Sequence, residues 1–427
     1  MTKWMVTGLL AAAGIVWGAN GYAASAEKVS APKEYTQWLD ELKKDMSRRG
    51  ISSETLAKVY AEDYYHPAPE VVKIDRNQNE FVLTFSDYAN RVVTAKRVAE
   101  AREKYKELYP SFKRLEKKNG VPFNYLIAFW GMETNFGRHF GNYLVTEALT
   151  ILSYDKRRPK FFREELYQAL KIIDTWGLDH NQMEGSWAGA MGHFQFMPST
   201  FNAYAVDYNG DGKIDIWHSF EDAAGSAANY LQQAGWKAGE PWGMEVSLPW
   251  DFDYALTGRQ KSKTVGKWEK LGVRTVDGKK LKLSGGSEWA VIVPEGKKGK
   301  AFLVGHNFNV IMKWNRSENY ALAIGMLADY AASEKKWQAV EAPSSMRVKA
   351  KDVAKIQAFI NKITHSKLDE DGQLGSKTRE AIQKVQRKAK MPADGYPDYQ
   401  LLNKVNRYNP EMGFAVPVPP RKLHRQK

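Results

Sequence analysis

Residues 123–137, FNYLIAFWGMETNFG, form a nearly unbroken apolar run with one carboxylate inside it, Glu133. The residues three, four and seven positions earlier are Trp130, Phe129 and Leu126, so at helical spacing Glu133 projects from a buried stripe. Such a segment belongs inside a packed helical core. Gly137 suits the left-handed position that ends a helix of this kind. A carboxyl on a partly desolvated aromatic face favours its neutral form, so its pKa rises. That is what a general acid working near neutral pH needs. The competing account is a boundary glutamate paired with an arginine such as Arg138 or Arg157, because buried charges are usually paired. The helix pattern leaves both open.

The chain has 427 residues, enough for two or three compact units, and 43% hydrophobic with 12% aromatic content is ample for a core. A formal charge of +14 favours a polyanionic partner: nucleic acid, an acidic membrane surface or an acidic polymer. Lys3 precedes the apolar run WMVTGLLAAAGIVWGA, and Ala24-Ser25-Ala26 follows as a small-x-small cleavage pattern. This reads as a signal peptide over residues 1–26, with an uncleaved anchor as the alternative. Export excludes nucleic acid as a partner and leaves cell-envelope polymers; a soluble periplasmic protein, monomeric and without a stable membrane anchor, is expected. Cysteine is absent, so there is neither a disulfide nor a thiol for lipid attachment.

Helical, polar-rich patterns run from about Pro32 to Lys118, with Trp38, Leu39, Leu42 and Met46 as the apolar stripe of the first. Residues 245–312 are richer in lysine, glycine and β-branched residues. Asp277-Gly278 and Gly285-Gly286 separate short alternating runs there, which predicts β hairpins. A short linker around Pro343 precedes a compact helical unit with a DGQLG turn, and a basic, proline-rich tail closes the chain.

Two further motifs carry chemistry. EGSWAGAMGHFQFMPSTF, residues 184–201, combines closely spaced glycines with Ser186 and Gln195, side chains able to orient a carboxylic acid or a sugar amide. A tight turn between core helices has the same composition. Pro198 should open a helix. In DYNGDGKIDIWHSFED, Asp207, Asn209, Asp211 and the Lys213 carbonyl occupy positions one, three, five and seven of an EF-hand-like loop. Position twelve is His218, unsuited to calcium, so the closing acid must be Glu221 or Asp222; Asp215 stands at position nine. A self-capped Asp/Asn turn is the alternative. No His-x-x-x-His pair, P-loop, Rossmann fingerprint or GxSxG elbow occurs.

WGMETNFG, DKRRPKFF, GSWAGAMGHFQFMPSTF, DYNGDGKIDIW and AANYLQQAGW, in this order, resemble the lytic transglycosylase B family, glycoside hydrolase family 103. The resemblance implies a mainly α fold: a goose-lysozyme-like core with an added α domain and a small β-rich region. DGQLGSKTREAIQKVQRKAKMPADG resembles a three-helix peptidoglycan-binding domain. The implied division is a signal peptide at 1–26, a catalytic region at 33–334, a linker at 335–346, the binding domain at 347–407 and a tail at 408–427. Family members cleave the bond between N-acetylmuramic acid and N-acetylglucosamine in peptidoglycan without water, closing a 1,6-anhydro ring.

By the same resemblance Glu133 is the single acid, supported by Ser186 and Gln195, with Arg157 and Arg158 near the cleft. Tyr230, Trp314, Asn315 and Tyr320 would line the saccharide subsites. A tyrosine is common where Trp314 stands, so the hydroxyl hydrogen bond should be lost there. The family's loop binds calcium structurally; Asp222 aligns with common members and Glu221 with others, and no catalytic cofactor is implied. Glycan strands, and cell-wall synthesis or remodelling enzymes, are the expected partners. A hydrolase of the same fold would need a second flanking carboxylate. A non-enzymatic peptidoglycan scaffold would leave Glu133 structural.

Overall fold

The structure, a computed structural model, describes residues 32–61, 69–76, 83–283, 288–343, 349–408 and 414. The signal-peptide run, Gly285-Gly286 and most of the tail lie outside the described residues. The chain divides into two compact units. The first takes residues up to 78, 91–240 and 307–339; the second takes 79–90, 241–306 and 340–427. Among the described residues no helix is long and apolar enough to cross a membrane.

The first unit is helical. Helix Lys33–Arg48 buries Tyr35, Leu39, Leu42 and Met46, while Trp38 is only half-buried, 4.9 Å from the Tyr154 ring. Thr94 caps the long helix Ala95–Asn119, whose Val98, Ala101, Phe112 and Leu115 face inward while Glu103, Lys106, Glu107, Lys113, Lys117 and Lys118 are exposed. This helix and Glu318–Ala331 pack against each other and against Phe123–Thr134, in which Leu126, Ile127, Ala128 and Phe129 are fully buried. The apolar run at 123–134 is therefore a central helix, as its composition demands.

This helix ends earlier than Gly137. Asn135, Phe136 and Gly137 are all left-handed, with φ of 50°, 61° and 79°, and Asn135 is the C-cap. A bulky residue is rarely held in this region. Phe136 is retained because its ring fills the space over Gly131, where a Cβ would come within 2.7 Å of that ring. Downstream, β1 (Tyr143–Leu144) and β2 (Glu184–Gly185) form a short antiparallel pair. From Gly185 the chain folds back through bridges to Met191 and Phe196, and Pro198 opens helix Pro198–Tyr204 as expected. Glu165, buried, caps that helix by accepting from the Ser199 backbone and hydroxyl.

The second unit combines a sheet with the C-terminal helices. Strands β3 (Gly243–Ser247), β4 (Arg274–Thr275), β5 (Ala290–Ile292) and β6 (Ala301–Val304) are antiparallel in the order β4-β3-β6-β5. The Asp277-Gly278 turn forms as expected, closed by the Gly278 N–H on the Thr275 carbonyl at 2.8 Å. Trp268, Trp289, Val291 and Leu303 make its core, and the Trp268 indole donates to the Trp289 carbonyl at 2.7 Å.

Helices Ala350–Thr364, Ser376–Lys388 and Tyr399–Asn406 enclose Ile356, Ile360, Ile382, Val385 and Leu401. Two glutamines latch this bundle in the same way. Gln357 donates to Asp371 and accepts from the Gly372 N–H; Gln386 donates to Asp394 and accepts from the Gly395 N–H. The repetition was not visible as sequence similarity. Within the same unit, Arg379 donates to the Pro294 carbonyl at 3.1 Å and the Lys297 N–H donates to Asp394 at 3.0 Å. Gln386→Leu leaves the buried Gly395 N–H without an acceptor, so it should cost on the order of 1–3 kcal/mol in urea unfolding.

Candidate active site and metal loop

Glu133 lies in the last turn of the central helix with part of its surface open and protein crowded against its carboxyl elsewhere. Its Oε1 accepts two hydrogen bonds, from the Trp314 indole at 3.1 Å and from the Tyr320 hydroxyl. Burial pushes the carboxyl up to about 7, against the pull of these two donors. Oε1 takes both donors, which leaves Oε2 as the oxygen open to carry a proton. The ion-pair alternative fails, because Arg138 pairs with Glu100 and Arg157 with Asp75. Among the described residues, no cationic side chain forms an ion pair with Glu133.

Position 314 has no hydroxyl to donate, as expected, but the Trp314 indole N–H donates to Glu133 in its place. The ring is held against Phe129 at 4.5 Å and Tyr230 at 5.0 Å. Tyr230 donates its hydroxyl to the Lys313 carbonyl at 3.0 Å, and burial pushes that phenol up to about 12. Asn315 is buried, and its Oδ1 accepts from the Ser317 N–H, shaping the start of the Tyr320 helix.

Ser186 Oγ accepts from the Ala188 and Ala190 N–H groups, so it braces the glycine-rich fold-back. Gln195 is buried and left-handed, at φ 50°, and its amide donates to the Phe140 and Gly192 carbonyls. Arg157 and Arg158 converge on one buried residue, Asp75 of helix Pro69–Arg76. The arginines thus hold that helix to the unit.

One participant escaped the sequence reading. His193 Nδ1 accepts from the Trp130 indole at 2.9 Å, and its carbonyl accepts from the Thr134 hydroxyl at 2.9 Å. These two bonds tie the fold-back to the Glu133 helix, at its last residue and four residues before it. Burial pushes the imidazole down to about 4, so it is neutral at pH 7. Its motif, Gly192-His193-Phe194, carries no spacing that marks a partner.

In the loop at 207–222, Asp207, Asp211 and Asp222 each place an oxygen within 4.8 Å of the others. Asp222 is fully buried and accepts only backbone N–H bonds, from Tyr208, Asn209 and Asp215. A buried carboxylate without a cationic partner, beside two further acids, suits a hard cation. Glu221 is exposed and outside the group. Asp215 turns away from the loop's acids, accepting from the Trp217 and His218 N–H groups and lying 3.0 Å from the His218 ring. Asn209 Oδ1 accepts from the Asp211 N–H, and the Lys213 N–H donates to Asp211 Oδ1, so the loop is also self-capped.

The raised acid carries a stability signature. A group whose folded pKa lies above its unfolded value contributes fully below the unfolded value, near 4.5, and loses that contribution as pH rises through about 7. Glu133→Gln should therefore raise the melting temperature at pH 8, by the equivalent of about 1–3 kcal/mol, and change it little at pH 4. His193 has the opposite sign: its folded pKa is depressed, so its contribution holds above about 6.5 and fades as pH falls toward about 4. His193→Phe should flatten that acid limb in thermal melts.

Residues 34–329 match the family described as Transglycosylase SLT domain, and residues 349–405 match Putative peptidoglycan binding domain. SltB3 from Pseudomonas aeruginosa, solved in complex with NAG-anhNAM-pentapeptide, is 38% identical, with a TM-score of 0.82 over 88% of this chain and 100% of that one. Membrane-bound lytic murein transglycosylase B of Escherichia coli K12 is 31% identical over 226 residues, which span 50% of this chain and 58% of that protein. Escherichia coli Slt35, solved in complex with calcium, is 26% identical with a TM-score of 0.58, over 70% of this chain and 93% of that one. A helical core built around one desolvated glutamate, matched over residues 34–329 and followed by a second matched module, makes this chain a member of the transglycosylase SLT family.

Proposed function

We propose that the chain is an exported peptidoglycan lytic transglycosylase acting in the periplasm, with Glu133 as its one acid and base. The observation that carries this is a lone carboxyl, raised to about 7 by burial and held on Oε1 by two donors. A hydrolase flanks its bond with two carboxylates. Here burial alone lifts the acid, with no neighbouring carboxylate contributing. The similarity to a chain solved with NAG-anhNAM-pentapeptide supports the same substrate class.

In this reaction Glu133 Oε2 gives its proton to the glycosidic oxygen as the bond from muramyl C1 breaks. The 2-acetamido oxygen assists at C1. The carboxylate then takes the proton of the C6 hydroxyl as that oxygen bonds to C1, closing the 1,6-anhydro ring. Atoms balance without water, and a bound glycan that fills the open side of Glu133 would keep water from competing. Tyr320 and Trp314 hold the carboxyl through both halves. Gln195, with its amide protons committed to backbone carbonyls, has its carbonyl oxygen for a substrate N–H. Ser186 maintains the turn that carries it. Tyr230 and Asn315 position Trp314 and the Tyr320 helix. Arg157 and Arg158, fixed by Asp75, add positive charge for a polymer bearing carboxylates.

Asp207, Asn209, Asp211, Asp222 and the Lys213 carbonyl would hold a calcium ion, which stabilises the loop and takes no part in the chemistry. Chelation should lower the melting temperature by several degrees, added calcium should restore it, and Asp222→Ala should abolish both responses. A melting curve indifferent to chelator and to calcium removes the metal from the assignment.

The decisive assay is mass spectrometry of soluble muropeptides released from purified sacculi by the protein and by Glu133→Gln. Non-reducible 1,6-anhydro ends from the protein, reduced at least about a thousandfold in the mutant, are expected. Reducing ends would make it a hydrolase. Sacculus binding without products would make it a scaffold. Because the acid must be protonated, kcat/KM should fall as pH rises through about 7.

A further inference from the structure

We propose that the β4 edge of the second unit is a docking face for an anionic phospholipid surface. The starting observation is Trp250, which is 95% exposed, while Trp242, Trp268 and Trp289 of the same unit are almost fully buried. Among the described residues of the unit, Val276 at 64% and Leu271 at 38% are the exposed large aliphatics, and Tyr399 at 47% is the other exposed aromatic. Trp250, Val276 and Leu271 lie along one edge of the sheet. β3 ends at Ser247 opposite Arg274 of β4, and the Pro249-Trp250 turn follows directly. The Pro249 ring lies against Gly272, next to Leu271, and Val276 sits in the turn that leaves β4.

The indole is presented, not dangling. The Phe252 N–H closes the turn on the Pro249 carbonyl at 3.1 Å, and Asp253 caps the following Tyr254–Leu256 turn. Asp251 and Asp253 are exposed beside the indole, while the chain along the β4 edge is strongly basic. Residues 263–282 hold seven basic side chains against two acidic ones, a net +5. Lys267, Lys270, Lys279, Lys280 and Lys282 are all exposed. Of the two acids, Asp277 is paired with Lys279 at 2.6 Å and Glu269 accepts from the Leu281 N–H.

Lysines on an edge strand also block edge-to-edge pairing, but that role gives no reason to hold a tryptophan in water. A sugar-stacking ring sits in a groove beside hydrogen-bonding side chains, whereas Trp250 stands clear of the protein surface. An indole and two aliphatic side chains on an edge that carries five exposed lysines match the boundary between headgroups and acyl chains. The ring enters, and the lysines reach phosphate.

The chain has no cysteine, so Val276→Cys gives one labelling site for an environment-sensitive dye. Phosphatidylglycerol-containing vesicles at low salt should blue-shift the dye, phosphatidylcholine vesicles should not, and high salt should reverse the shift. Adding Trp250→Ala should weaken the apparent vesicle affinity about tenfold, with muropeptide release from sacculi unchanged. A dye on exposed Lys351→Cys should stay silent, which separates this face from binding by any other part of the chain. No shift at residue 276 on anionic vesicles, or a shift indifferent to Trp250→Ala, overturns the proposal. A shift on purified sacculi but not on vesicles assigns the face to the wall polymer and overturns it equally.

Discussion

A carboxyl kept neutral near pH 7 is expensive to hold, and the first unit is arranged around that cost. Desolvation raises Glu133, and the Trp314 and Tyr320 donors fix one oxygen without removing the effect of burial. Each donor needs its own support. Trp314 is wedged among Phe129, Phe196 and Tyr230, and Tyr320 stands on a helix whose start is shaped by Asn315 and capped by Ser317. The far side of the acid is secured by Thr134 and Trp130, both bonded to His193. Loosening any of these would let water reach the carboxyl and lower its pKa, so packing and acidity are one property here.

What the sequence showed was faces; what it hid was partners. The spacing of Trp130, Phe129 and Leu126 was enough to place Glu133 on a buried stripe, because helical periodicity is local. The alternation of Asp207, Asn209 and Asp211 marked a loop for the same reason. Asp75, in contrast, lies 82 and 83 residues from the arginines it binds, and nothing local connects them. Trp314 was judged by the hydroxyl it lacks, although an indole N–H can donate in its place. Asp215 occupies a ligand-like position yet serves the neighbouring turn, because an aspartate two or three residues before free N–H groups caps them readily.

The second unit uses a different logic. Its binding module is held by two buried glutamines that each close an Asp-Gly turn, and its sheet is held by three interior tryptophans. The module's own polar contacts join it to the β-rich region through Arg379, Gln383 and Asp394. The division into a catalytic region followed by a separate bundle, natural along the chain, differs from the division by contact: residues 241–306 group with the C-terminal helices. Chain order is a poor guide where an insertion folds against a later segment.

Trp314 has one consequence beyond packing. A tyrosine hydroxyl can turn and accept as well as donate, whereas an indole N–H has no lone pair to offer and its ring cannot swing. Tyr320 shares the same oxygen and its hydroxyl can turn, so the indole is the fixed member of the pair. In the proposed reaction it keeps Oε1 an acceptor through both steps and leaves the proton traffic to Oε2. The sugar itself sets the face of the ring closure, since C6 reaches C1 from one side only, and the indole sets which oxygen waits for it.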